Sequence, residues 1–272
     1  MRVPGIRPLM ISCLMAFGLW GCSQSDLERL TLTGSSTIAP LAAELAREFE
    51  LLHPGVRVDV QTGGSSRGIA DTRSGVADIG MASRELKSQE QDLQAYSIAY
   101  DGIALILNSA NPVSQLTDQE VVAIYTGRID NWKQVGGPDQ AITVVNKAEG
   151  RSTLELFLKY FRLENKQIEA DIVIGDNQQG IKTVAGSTAA IAYVSIGTAE
   201  YEASHSTPIK LLGVGGVKAS TAAVKRGEFP LSRPLNLVTA KTPEGWTKNF
   251  IEFAQSAKVQ GLVEKQFFIP FD

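Results

Sequence analysis

The sequence predicts an α/β protein, and three observations carry that expectation. Short β-type runs alternate with segments of helical apolar spacing along the chain. Its 272 residues give length for one or two compact units, and 43% hydrophobic against 20% charged residues is enough to bury a core. No low-complexity segment or long Pro/Gly/Ser linker interrupts the body. In order, Leu30–Thr33 is a short strand, and Leu41, Leu45, Phe49 and Leu52 then form one helical stripe that Pro54-Gly55 ends. Val56–Val60 alternates as a strand, Gly68–Ser74 reads as helix, and Ala77–Ala82, Ala95–Tyr100 and Ile103–Leu107 read as three further strands. Thr117-Asp118-Gln119-Glu120 is a capping-box pattern ahead of Val121, Ile124 and Tyr125. Ile142–Val145 is a strand, and Leu154, Phe157, Leu158 and Phe161 mark the next helix. Strands are expected at Ile172–Ile174, Ala190–Val194 and Lys210–Leu212. Thr242-Pro243, as N-cap and first helical residue, opens a helix with Trp246, Phe250, Phe253, Ala254 and Ala257 on one face. This order argues for largely parallel sheets. Composition turns loop-like at Leu107–Pro112 and at Ala203–Pro208, and two lobes with crossings there fit the pattern.

The N-terminal segment reads as an address. Arg2 and Arg7 precede an apolar stretch, Leu9–Trp20, that is short for a membrane span of about 20 residues. It ends in Leu19-Trp20-Gly21-Cys22, which resembles the lipobox of bacterial lipoproteins. That resemblance implies cleavage after residue 21, lipid on Cys22, and a tether over residues 22–29. Cys13 would be discarded with the leader, leaving an exported body without a free thiol, as suits an oxidising compartment.

The formal net charge is −3, from 26 Lys+Arg and 29 Asp+Glu, so no broad basic surface invites nucleic acid. Two histidines cannot build a His-rich metal cluster, and no CxxC, HExxH, EF-hand or Walker pattern occurs. Neither a metal nor another cofactor is expected.

Three strand-to-helix turns share one chemistry: Gly34-Ser35-Ser36-Thr37, Gly63-Gly64-Ser65-Ser66 and Gly150-Arg151-Ser152-Thr153. Each sets glycine and then hydroxyls at a helix start, where free amides and the positive dipole end favour an anion. Ser and Thr are also ordinary N-caps, so one such turn alone identifies nothing. Three of them, with Lys147, Arg151, Arg67 and Arg84 close in sequence, point to a small-anion site that needs no net positive protein.

A competing pattern is Gly64-Ser65-Ser66-Arg67-Gly68, which matches a nucleophile elbow, with His205 downstream. His205, however, stands in a polar stretch between Ser204 and Ser206 without a supporting motif. His53, before Pro54, is explained by a helix C-terminus. A serine hydrolase using Ser66 is therefore the minor reading, and a non-enzymatic binding protein the main one.

From about residue 30 to residue 270 the chain resembles the phosphate-binding lipoproteins of bacterial phosphate ABC importers, periplasmic binding proteins of the two-lobed type II class. The resemblance is carried by Gly34–Pro40, Gly63–Gly68, Asp78–Arg84, Tyr100–Ala104, Ile124–Gly127 with Asn131-Trp132, and Phe229–Leu235. It implies a monomer of two α/β lobes, each a mostly parallel sheet flanked by helices, joined by a two-crossing hinge near 108–112 and 208–213. Lobe I would comprise 30–108 and 211–272, and lobe II 109–210. It further implies that one phosphate ion is captured between the lobes and passed to a membrane permease. Carried over by position, Ser36, Thr37, Ser65, Ser83, Arg84, Lys147, Arg151, Ser152 and Thr153 would contact the ion. The family usually has Arg where this chain has Lys147, and some members place a proton-accepting Asp where this chain has Ser83-Arg84, leaving Glu149 as a candidate acceptor. A sulfate or molybdate receptor, or a lipoprotein that senses phosphate for a signalling partner, are the neighbouring alternatives.

Overall fold

The computed structural model describes residues 27–271. The expectations for the leader and for Cys22 therefore lie outside the described residues. Strands β1 (Glu28–Gly34), β2 (Val56–Thr62) and β3 (Ile79–Ala82) alternate with helices α1 (Ala39–Leu52) and α2 (Ser65–Ser74). Strand β4 (Gln94–Asn108) follows, then α3 (Asp118–Tyr125), β5 (Thr143–Lys147), α4 (Ser152–Phe161), β6 (Ile172–Ile174), α5 (Asn177–Ala185) and β7 (Ala190–Ser195). The rest comprises α6 (Ile196–Ser204), β8 (Ile209–Leu212), α7 (Thr221–Lys225), β9 (Ser232–Thr239), α8 (Gly245–Ala254), α9 (Gln260–Lys265) and β10 (Ile269–Pro270).

Hydrogen-bonded neighbours run β2-β1-β3-β9-β4-β7-β5-β6, with β8 and β10 also on β4. The outer strands of each half pair in parallel, β2-β1-β3 in one and β7-β5-β6 in the other, as the strand–helix alternation predicts. Antiparallel pairing appears where β4 and β9 join the halves. Helices cover both faces of each half. In the first, Leu41, Leu45 and Phe49 of α1 pack with Phe250 of α8 and Val263 of α9, while Ile69 of α2 packs on Ala82 and Val238. In the second, Phe157 and Phe161 of α4 pack with Tyr125, Trp132 and Tyr193, and Ile181 and Val184 of α5 cover the other face. Strands covered on both faces read as unbroken apolar runs, and all of β3 and β7 is buried.

Three differences from the sequence reading have physical causes. The two strands expected at Ala95–Tyr100 and Ile103–Leu107 are one strand of 15 residues. Asp101 and Gly102 look like a break but are buried, and a Cβ on Gly102 would meet Ile196, Val224 and Phe229 side chains at 2.7–3.2 Å. Second, β4 changes sheet at this point: residues 94–102 pair with β9, and residues 103–108 pair with β7 and β8. The return crossing lies at Leu231–Ser232, where Ile103 N donates to Leu231 O. Both crossings are displaced from the loops at 108–112 and 208–213, so residues 103–108 and 211–231 pack with the second half rather than the first. The first crossing runs through the buried middle of β4, and the second lies at the turn that enters β9, so neither falls in the loop-like stretches that composition marks. Third, Thr242-Pro243 precedes α8 rather than opening it, and Glu244 is the N-cap. The Thr117–Glu120 capping box forms as expected, with Thr117 Oγ1 accepting from Glu120 N. Among the described residues no helix is long and apolar enough to cross a membrane.

Candidate functional site

The chain passes from β1 into α1 through a turn in which Ser35 Oγ accepts from Thr37 N and Ile38 N. Helices α2 and α4 begin directly at Ser65 and Ser152. These three helix starts converge between the halves. Ser65 Oγ donates to Ser152 Oγ at 3.0 Å and accepts from Ser83 N at 3.1 Å. Ser83 Oγ lies 2.6 Å from Ser152 Oγ and 2.9 Å from Ser35 Oγ. Arg233 on β9 sits at the centre. It donates to Thr37 Oγ1 at 3.2 Å and Ser83 Oγ at 3.4 Å from one half, and to Thr153 Oγ1 at 3.0 Å from the other. Asp101 on β4 fixes this guanidinium through Oδ2, 2.8 Å from Nη2 and 3.2 Å from Nε, and its Oδ1 accepts from Gly197 N. Both members of the pair are 1% exposed at their side chains. Burying two charges is tolerable only with such partners, and these lie where the two crossing strands run side by side.

Lys147, at the end of β5, is 3% exposed. Its Nζ donates to Asp176 O at 2.6 Å and Asn177 Oδ1 at 3.1 Å, both neutral oxygens at the start of α5. Burial pulls the amine down from its ordinary value to about 7; the Asp176 carboxylate opposes this, and Arg233 and Arg151 add to it. Asn177 Nδ2 donates to Thr37 Oγ1 at 3.2 Å, tying this corner to the other half.

Thr37, Ser65, Ser83, Ser152, Thr153 and Lys147 are thus brought to one place. Arg151 flanks it: its Cδ packs against Gly64, and its buried Nε has no hydrogen-bond partner among the described residues. Ser36 and Arg84 stand apart. Ser36 instead lines a neighbouring cleft with Pro40, Thr62, Asp176 and Asn177, because the turn directs Ser35 inward. Arg84 is held by a two-pronged pair with Glu90 at 2.7 and 2.9 Å. Its Nε faces Glu155 of α4 at 3.0 Å, a charge contact off the N–H direction that Lys87 Nζ shares at 2.9 Å. Glu155 also accepts from Ser66 Oγ, and Ser66 N donates to Gly150 O, so this group forms a second tie across the cleft. Glu149 is outside the cluster and accepts from Asn165.

The hydrolase constellation does not assemble. The partner of Ser66 Oγ is Glu155, while His205 caps α6 and bonds to Tyr201 O and Ser204 Oγ. His53 packs on the Phe49 and Trp246 rings. Among the described residues no group of three or more His, Cys, Asp or Glu is placed to hold a metal ion.

Ser35, Asp101, Asn177 and Arg233 escaped the sequence reading as site residues. The available signal was a charge stranded in an apolar run, Asp101 within Ile98–Leu107 and Arg233 within Leu231–Val238, one on each of two strands.

Two α/β halves joined by two crossing strands, with a polar cluster buried between them, define the class of two-lobed binding proteins. The PBP superfamily domain matches residues 23–258. The phosphate-binding protein PstS of Bacillus subtilis (strain 168) is 30% identical over 248 residues, covering 89% of this chain and 80% of that protein. The chain belongs to the PBP superfamily, within the family of PstS-like phosphate-binding proteins. Among solved structures, a putative phosphate ABC transporter substrate-binding protein with bound phosphate from Clostridium perfringens is 34% identical, with a TM-score of 0.82, covering 90% of this chain and 100% of that one. An ABC-type phosphate transport receptor from Vibrio cholerae is 31% identical with a TM-score of 0.72, over 90% of this chain and 100% of that one.

Proposed function

We propose that this chain is a non-enzymatic extracytoplasmic receptor that closes two lobes on one phosphate ion and delivers it to an ABC importer. The observation that carries the reading is the hydroxyl cluster from both halves, Thr37, Ser65 and Ser83 facing Ser152 and Thr153, gathered on the Arg233 guanidinium. The relatives' phosphate-binding names and the phosphate-bound neighbour support it.

The chemistry follows from the groups. Hydroxyls that bond one another here can turn to oxyanion oxygens, each donating or accepting as the ligand's protonation requires. The starts of α2 and α4 add free amides and the positive ends of their dipoles. Arg233, aimed by Asp101, offers charge-assisted donors in a fixed fork. Lys147 supplies a second cation beside them, and Arg151 its neighbouring charge. Closure is a hinge motion about Gly102–Ile103 and Leu231–Ser232. It excludes water and strengthens each of these interactions. Because ligand and lobes meet only in the closed form, binding and closure are one equilibrium.

Export, lipidation at Cys22, a monomeric state and docking to permease subunits complete the proposal. A Cys22→Ser chain should lose its acyl label; unchanged palmitate labelling would remove the anchor from this reading. The central test is calorimetric titration of the soluble body with phosphate, sulfate and molybdate. Phosphate should bind best; a preference for either other anion, or no binding, overturns the assignment.

A further inference from the structure

The cluster contains one feature that a simple anion receptor does not need. Lys147 is almost wholly buried, yet both acceptors of its Nζ are neutral oxygens, Asp176 O and Asn177 Oδ1. Among the described residues no carboxylate pairs with it within 4.0 Å. The charged groups around it come from four elements and are all accounted for. Asp176, before α5, spends Oδ1 on Gln179 N. Asp101 on β4 is paired with Arg233. Arg233 on β9 and Arg151 before α4 both oppose a positive charge on the amine. On β7, the Tyr193 hydroxyl accepts from Lys147 N and donates to Asn146 Oδ1, and burial raises its own phenol.

A buried ammonium with neutral partners and two cationic neighbours is disfavoured in its charged form. A bound oxyanion reverses this. It would enter among Thr37, Thr153 and Arg233, and Thr37 is one hydrogen bond from Asn177, the partner of Lys147.

Resting on the phosphate-receptor reading, we propose that ligand capture by this chain takes up one proton at Lys147, so that phosphate is held more tightly in mildly acidic than in alkaline surroundings. The step balances as a protonation: the neutral amine accepts H⁺ from solvent while the anion enters, and release of the anion returns it. Coupling is reciprocal, so a proton tightened by phosphate tightens phosphate. The amine's value of about 7 without ligand puts the exchange within reach of ordinary conditions. An arginine at this position stays charged throughout and cannot couple.

The test is calorimetric titration with inorganic phosphate between pH 8 and pH 9, where the ligand is already nearly all dianion, in two buffers of different ionisation enthalpy. Wild type should take up about one proton per phosphate, and its Kd should rise about tenfold per pH unit; Lys147→Arg should take up almost none and keep a flat Kd. Should Lys147→Arg fail to fold or bind, the Lys147 amine signal of lysine-labelled wild type, followed by NMR with and without phosphate, gives the same reading. It should titrate near neutrality without phosphate and well above with it. Equal proton uptake in both proteins, or an amine charged in both states, overturns the coupling and leaves the receptor intact. No phosphate binding by wild type overturns the receptor reading, and the coupling with it.

Discussion

Gly64 is where the closed arrangement can be tested most cleanly. It is the N-cap of α2 with φ 96° and ψ 157°, a region open essentially to glycine alone. A Cβ there would lie 2.7 Å from Gly150 O and 2.9 Å from Arg151 Cδ, both across the cleft. Gly64→Ala therefore carries two separable costs. Backbone strain, about 1–3 kcal/mol, falls on open and closed forms alike and is read as lost stability. The overlap with Gly150 and Arg151 exists only when the halves meet. An overpacked contact costs about 1–3 kcal/mol, and parting the lobes relieves it, so it falls on the closed form and weakens phosphate binding roughly 5- to 150-fold. Gly75→Ala is the control: its φ is 75° but no atom lies within 4 Å of its Cβ. It should lose about 1–2 kcal/mol of stability and no affinity. Calorimetric titration with phosphate and thermal melts of both variants decide the matter. If Gly64→Ala melts early yet binds phosphate with the wild-type Kd, the approach of Gly64 to Gly150 has no part in capture and the closure argument fails.

Three further outcomes are expected. Thr153→Val removes a hydroxyl from the cluster; a hydrogen bond to a charged group contributes about 1.5–3 kcal/mol, so phosphate affinity should fall roughly 10- to 100-fold by titration, and an unchanged Kd would remove Thr153 from the site. Arg233→Met strands the buried Asp101 carboxylate and should cost about 3–5 kcal/mol in urea unfolding, while adding Asp101→Asn should recover much of the loss; no recovery would mean the pair is not the cause. Without phosphate, the folded-state amine of Lys147 binds its proton less tightly than the unfolded one. Between pH 7 and pH 9 the unfolded chain therefore holds the extra proton, and stability should rise with pH by up to about 1.4 kcal/mol per unit. Denaturant melts of wild type beside Lys147→Met check this, and parallel slopes would refute it.

Much of the fold is legible in the sequence because its signals are local. The α1 stripe of Leu41, Leu45 and Phe49, the Thr117 capping box and the apolar runs of β3 and β7 are each set by residues within a few positions of one another. The starts of α2 and α4 are legible for the same reason: a glycine with a hydroxyl after it answers to the geometry of a helix N-terminus. From these alone the α/β class and an anion-type chemistry follow.

What only the tertiary structure decides depends on contacts between residues far apart in the chain. Composition marks surface loops, so it pointed to 107–112 and 203–208, whereas the halves are joined at Gly102–Ile103 within β4 and at Leu231–Ser232, where the chain enters β9. Proximity in sequence made Arg84 look like a ligand cation, but Glu90 and Glu155 claim it. Ser35 and Ser36 are chemically alike, and the turn alone sends Ser35 inward. Arg233 reaches the cluster from 196 residues beyond Thr37 and is aimed by an aspartate 132 residues before it. A charge becomes a working part of a site through whoever meets it there once water is excluded, and that meeting is made by the packing of strands rather than by spacing along the chain.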